Sequence, residues 1–298
     1  MRGSVRRRLL VHARGIAFLL PSAVFIFGLI YYPVVNAFVI SFFKYEVLSR
    51  RMSFVGLKNF LSIFHEPLFA TVFQRTIVWT VVIVAGTTLL SMAIAQLLDL
   101  RFGLKRVVRS IFILPWATSL ALSAMLYRWA LNSERGLLNY TLKDLLHLID
   151  TNVGWLASGQ TAFPWLVYVG IWVSIPFTTL VILAAVQSVP RDTLEASNLD
   201  GANAFQRYVS VTLPFIAPVL LISVLINFIA VFNSFPIIWV MTEGGPVNQT
   251  DIMVTILYKE AFKFLDFGRA SAMAALIFLF LLIIAVLYLV LVSRREEQ

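Results

Sequence analysis

The polar residues of this chain lack most of the arrangements that enzymes rely on. It has no cysteine, which excludes disulfides and thiolate metal ligands. His12, His65 and His147 lie far apart in different segments, without the paired spacing of a metal site. No serine–histidine–acid pattern and no pair of intramembrane carboxylates is present to support hydrolysis. Gly154–Thr161 has the outline of a phosphate-binding loop, but Gln160 stands where a lysine must reach the phosphates. Any ATP used by this protein therefore has to be bound by another polypeptide. Asn139–Thr141 and Asn248–Thr250 match glycosylation triplets, which arise often by chance.

What remains are amides set in long apolar runs: Asn36, Gln96, Asn227 and Asn233, accompanied by Trp116, Tyr127, Trp129, Trp172 and Phe232. A polar group inside a bilayer is costly and points to function. Amides hydrogen-bond hydroxyls, and aromatic faces pack against the apolar faces of sugar rings, which is how a neutral polyol could cross. The expected solute path is Asn227, Asn233, Phe232, Trp116, Tyr127 and Trp172, against the plainer alternative that such amides join helices together. Asn227 and Asn233 are six residues apart, about 240° around a helix of 3.6 residues per turn, so a straight helix cannot aim both into one pore. Asn227 shares its face with Ser234 instead.

A second polar stretch, residues 195–214, interrupts two apolar runs and reads as a docking element held at a membrane surface. Its helix formers, with Leu194, Ala202, Phe205 and Val209 as apolar positions, suit a short amphipathic helix. Gly201 permits a sharp bend and Pro214 a stop.

The elements that must position these groups are membrane spans. The sequence is 60% hydrophobic and 13% charged with mean hydropathy +0.87, against roughly 45 to 50% and 25% in soluble domains. Its net charge of +9 is scattered among apolar spans and short loops, which suits lipid headgroups and not nucleic acid. Spans are expected at about 16–43, 76–98, 107–129, 163–186, 217–241 and 270–292, each reaching the roughly 20 residues that a bilayer core needs. The first is too long for a signal-peptide core, and Pro33 should kink it. The whole is an all-α polytopic membrane protein with one domain over 1–298. Lysines and arginines divide 13 to 11 between the two sides of this arrangement, which decides nothing. Orientation rests on the arginine-rich start (Arg2, Arg6, Arg7, Arg8, Arg14) and the turn with Arg101, Lys105, Arg106 and Arg109, both of which place the termini and the 191–213 loop in the cytoplasm.

The loop also resembles something known. Glu195–Ala196, Asp200–Gly201–Ala202, Leu213–Pro214 and Pro218 resemble the EAA loop of permease subunits in bacterial ABC importers. Ser197 stands for the third residue of the motif, and Phe205 for a frequent tryptophan. Phe54–Phe60, Leu114–Pro115, Thr242–Pro246, Thr250, Tyr258–Lys259, Ala261–Phe262 and Asp266–Gly268 are similar to the carbohydrate-importing, maltose-type branch; Pro236 departs from the acidic residue many members carry there. The resemblance implies a type I permease fold in a bacterial inner membrane. It implies coupling through Glu195, Ala196, Asp200, Gly201, Ala202, Phe205, Leu213 and Pro214 to a cytoplasmic ATPase dimer that binds the ATP and Mg. The chain itself would bind no cofactor. Its other implied partners are a second homologous permease and an extracellular substrate-binding protein, and the mechanism would be alternating access. A self-sufficient secondary carrier is the alternative. With no acidic residue deep in any expected span, a proton relay of buried carboxylates has no basis.

Overall fold

The structure is a computed structural model and describes residues 18–46, 51–100, 103 and 105–296. The arginines expected to orient the start of the chain, and Arg101, lie outside the described residues. Among the described residues five helices are long and apolar enough to cross a membrane, or six if one sharply bent pair counts as a single span. The fold is all-helical apart from one small hairpin. In chain order the elements are α1 (Phe18–Ile40), β1 (Phe43–Glu46), β2 (Arg51–Phe54), α2 (Lys58–Phe64), α3 (Pro67–Asp99), α4 (Lys105–Ala117), α5 (Leu120–Ala130), α6 (Leu137–Asn139), α7 (Gly159–Gln187), α8 (Arg191–Leu199), α9 (Ala204–Arg207), α10 (Leu213–Phe232), α11 (Phe235–Thr242), α12 (Met253–Tyr258) and α13 (Phe267–Glu296).

Where the sequence reads as one domain, the contacts fall into two units. One lies within Met1–Glu66 and Leu257–Leu279, the other within Pro67–Ile256 and Phe280–Gln298. In the first, β1 and β2 pair antiparallel with Phe43 opposite Phe54, and their rings meet edge to face at 5.4 Å. Buried Asn59 donates to the carbonyls of Ser41 and Phe43 at 2.8 and 3.0 Å, fixing α2 against the hairpin. Arg269 pairs with Glu66 and with buried Glu260, the latter at 3.2 Å.

In the second unit α3 and α7 form the central pair. Gly170 of α7 lets Ile83 and Trp79 of α3 approach so closely that a Cβ there would lie 2.4 Å from Ile83 Cδ1. Around this contact pack Leu166, Val169, Val173, Val231, Ile237, Ile238 and Ile252. A second apolar cluster, Ala95, Leu98, Ile182, Leu183, Val186 and Ile216, closes the other end of the bundle.

Prolines decide where these helices depart from straight rods. Pro33 and Pro214 each sit at the second residue of an α-helical stretch that follows a five-residue π turn, Phe27–Tyr31 and Tyr208–Thr212. The wider π turn spares the proline ring its clash with the preceding carbonyl. Pro214 therefore does not stop its helix, as the sequence suggested; helix runs through it from Ala204 onwards. Pro236 has no π turn before it, and the expected fifth span breaks at Asn233–Ser234 between α10 and α11. A proline there leaves the Phe232 carbonyl without its helical donor, and the Trp79 indole meets the adjacent Val231 carbonyl at 3.0 Å. The third span, expected at about 107–129, is likewise two helices, α4 and α5, bent by 91°. Pro115 precedes the break, the Thr118 hydroxyl donates to the Pro115 carbonyl at 2.7 Å, and Ser119 caps α5 by accepting from the Leu122 N–H.

Candidate functional site

Two features of the second unit carry chemistry, a polar loop at one end and a cavity between helices. The loop does not form the single amphipathic helix expected over its apolar positions. α8 begins after Pro190 and ends at Leu199 in a Schellman turn: the Gly201 N–H donates to the Asn198 carbonyl at 3.1 Å and the Ala202 N–H to the Ser197 carbonyl at 3.1 Å. Gly201 has φ +79°, the left-handed backbone that such a turn requires. Asn203 then starts α9 with a reciprocal capping box to Gln206, both bonds at 2.9 Å. Arg207 reaches back across the bend to the side chain of Asn198.

This geometry sorts the loop residues. Leu194 and Leu213 pack against the apolar cluster at this end of the bundle. Ser197 is buried, its hydroxyl donating to the Leu194 carbonyl at 2.8 Å, so a small residue is needed there. Glu195, Ala196, Asp200, Gly201 and Pro214 are exposed and Ala202 is half-buried. Leu199 and Phe205 are 89% and 75% exposed, two large apolar side chains left uncovered by the described residues. Glu195 is the fifth residue of α8, and the first-turn acid is Asp192. Glu195 therefore lies too far along the helix to draw stability from its dipole, an effect that fades beyond the first turn.

The cavity, of about 250 Å³, lies between α3, α4, α5, α7, α10 and α11. Asn227, Ser234, Ser123, Ser174, Thr118 and Thr178 supply its polar lining. Trp116 and Phe177 stack at 5.7 Å on its wall, and no lining residue is charged. The Thr118 and Ser123 hydroxyls bond each other at 2.9 Å, while Ser174 donates to the Gly170 carbonyl at 2.8 Å. Asn227 differs from these. Asn227 lines the cavity, and its Nδ2 is buried with no hydrogen-bond partner among the described residues.

Of the six expected path residues, the cavity takes Asn227 and Trp116. Asn227 and Ser234 both line the cavity, on either side of the break between α10 and α11. Asn233 is turned away, with Nδ2 on the Ile229 carbonyl at 2.9 Å. Phe232 is fully buried against Phe228 and Phe280. Tyr127 and Trp172 meet edge to face at 5.3 Å in a separate aromatic cluster with Tyr168. The lining residues that sequence reading passed over are Ser174, Phe177 and Thr178, which with Gly170 recur every three to four residues along α7. That periodicity was open to inspection, but a glycine–serine–threonine stripe also marks plain helix packing. The phosphate-loop look-alike is an ordinary helix start: Ser158 caps α7 and the Gly159 N–H donates to Gln249 Oε1 at 2.8 Å.

The family described as "binding-protein-dependent transport system inner membrane component" matches residues 87–297. The chain belongs to this family. The permease is 44% identical over 280 residues to a "probable ABC transporter permease protein" of Brucella suis, covering 94% of this chain and 96% of that one. It is 32% identical over 283 residues, with 95% of each covered, to the trehalose/maltose transport system permease protein MalF of Thermococcus litoralis. Its fold matches, at TM-score 0.84 and 21% identity over 98% of both chains, a chain in the crystal structure of a bacterial ABC transporter involved in the import of the acidic polysaccharide alginate. The permease is thus a transmembrane subunit of an ABC importer and not an enzyme, and in such systems a partner ATPase hydrolyses ATP. The secondary-carrier alternative has no support.

Proposed function

We propose that this permease forms half of the pathway of an importer for a neutral sugar or sugar-like polyol, with the cavity at Asn227 as its contact with the solute. The unpartnered Asn227 amide among hydroxyls and aromatic faces carries this reading. A carboxylated or phosphorylated solute would enter with no cation to receive it, and burying an unpaired charge costs several kcal/mol. A neutral polyol can use the hydroxyls and the free donor and place an apolar face on Trp116 and Phe177.

Around this pathway the proposal places a second homologous permease, an extracellular substrate-binding protein that delivers the solute, and a cytoplasmic ATPase dimer holding ATP and Mg. The ATPase would seat on the exposed face of Glu195, Ala196, Asp200, Gly201, Leu199 and Phe205. Closure of the ATPases would move α8 and α9, and the apolar anchors Leu194 and Leu213 would pass that movement to the bundle. The termini and the loop would then be cytoplasmic in a bacterial inner membrane.

The test is uptake at limiting solute, with the solute first identified through its binding protein. Asn227→Leu should raise KM about two- to tenfold, the worth of one hydrogen bond of about 0.5 to 1.5 kcal/mol, while membrane insertion and ATPase retention stay normal. Unchanged uptake would show that the amide is structural and that this cavity is not the contact.

A further inference from the structure

A second cavity, of about 440 Å³, opens where α5 gives way to α6. Its walls hold two acids and two bases, Glu134, Asp144, Arg135 and Lys143, beside the aromatic rings of Trp129 and Tyr140. None of the four charged side chains makes an ion pair or hydrogen bond among the described residues; only their backbone groups are engaged. Glu134, Arg135 and Asp144 are exposed and Lys143 is half-buried, so charges of both signs are open to a ligand in one cavity.

The framework beneath is rigid. Asn132 Oδ1 accepts the N–H groups of Glu134 and Arg135, both at 3.0 Å, and fixes that turn. Asn139, 2% exposed, donates to the carbonyls of Ser133 and Val153 at 3.0 Å each and accepts from the Val153 N–H and the Trp155 indole. These bonds clamp both arms of the loop, and they also make Asn139 unusable as a glycan acceptor. A side chain at Gly136 would meet the Asn132 and Ala130 carbonyls at 2.3 and 2.6 Å, so the floor admits only glycine.

Position and rim narrow the ligand. Trp155 and Val153 lead directly into α7, whose 29 residues span about 43 Å, close to the roughly 40 to 45 Å of a bilayer with its headgroups. α8 follows the far end of α7, so this cavity sits at headgroup depth on the side away from the coupling loop. Leu137, Leu145 and Leu146 are 52%, 64% and 53% exposed beside it, an apolar rim suited to acyl chains. Trp129 and Tyr140 are the residue types of a membrane interface.

We propose that this cavity binds the headgroup of phosphatidylethanolamine in the outer leaflet, Arg135 and Lys143 receiving the phosphate and Glu134 and Asp144 the primary ammonium. The ammonium carries three N–H donors for carboxylates. Phosphatidylcholine has a cation without N–H donors, and phosphatidylglycerol has no cation. The inference rests on α7 being a membrane span and on the proposed cytoplasmic 191–213 loop, and is independent of the transported solute.

The experiment uses the complete transporter complex, equilibrated with equimolar phosphatidylethanolamine, phosphatidylcholine and phosphatidylglycerol, with retained lipid read by native mass spectrometry. The intact complex should retain phosphatidylethanolamine about tenfold over the other two. Glu134→Gln with Asp144→Asn, which preserves shape, should abolish that preference while lipid is still retained; Arg135→Ala with Lys143→Ala should lose retention of all three. Equal retention of the three lipids by the intact complex, or an unchanged preference in the carboxamide variant, overturns the proposal. So does weakened capture of the substrate-binding protein with lipid preference intact, which would make this surface a protein interface.

Discussion

Substituting Gly201 separates two reasons why the 191–213 loop, proposed as the contact with the ATPase, should need a glycine. One is the backbone, since φ +79° strains any residue with a side chain; the other is bulk against a partner surface. Within this chain a Cβ at Gly201 would meet nothing within 4 Å, so packing adds no internal cost. Left-handed backbone costs an ordinary L-residue about 1 to 2 kcal/mol, whereas asparagine visits it readily. A shift of that size changes the population of the bent loop about five- to thirtyfold. Gly201→Ala and Gly201→Val should therefore insert normally yet lose several-fold in ATPase activity stimulated by solute-loaded binding protein, valine more than alanine. Gly201→Asn should stay close to the parent protein, because its polar side chain suits the turn and points into open space. The assay is stimulated hydrolysis by the purified complex, with copurified ATPase measured in the same samples. If alanine behaves as the parent while asparagine fails, the backbone argument is wrong and the partner surface sets the requirement.

Glu195→Lys should release the ATPase more readily than Glu195→Ala, since reversing a charge at an interface adds repulsion to the loss of a pair, a difference of about 2 kcal/mol or more in copurification titrations; equal retention would remove Glu195 from the interface. A cysteine in place of exposed Phe205, the chain having none, should react with an impermeant reagent only after permeabilisation, and labelling in intact cells would invert the proposed topology. Burial of Glu260 raises its pKa above the usual 4.5, Arg269 opposes this, and Glu66 and Asp266 add to it. Because the folded state holds this proton more tightly, the group's contribution is complete below about pH 4.5 and is lost as pH rises through the raised value. Glu260→Gln should flatten that fall in the thermal unfolding profile of the purified complex, and an unchanged slope would refute it.

Much of this protein could be read from the chain because a bilayer imposes its requirement locally. Every backbone group in hydrocarbon must be satisfied within its own segment, so a long apolar run is a helix whatever surrounds it. The bend in the 191–213 loop was legible for a similar reason: polar helix formers, Gly201 and the flanking apolar runs act over short range, and the left-handed φ at Gly201 is what that residue type is for. Prolines were only half legible. Pro33, Pro214 and Pro236 look alike in sequence, but the first two follow π turns and the third breaks its span. Which outcome occurs depends on what packs around the break, as the Trp79 indole does at the Val231 carbonyl beside it. The site depended on tertiary structure most of all. Asn227 and Asn233 are the same residue type less than two turns apart, yet one lines a cavity with its Nδ2 unpartnered among the described residues and the other bonds its own helix. The cavity exists only where α4 and α5 bend by 91° and α10 gives way to α11. Membrane insertion selects for hydrophobicity along one chain segment, whereas a site is a meeting of faces from six helices, and no local rule of composition fixes which faces meet.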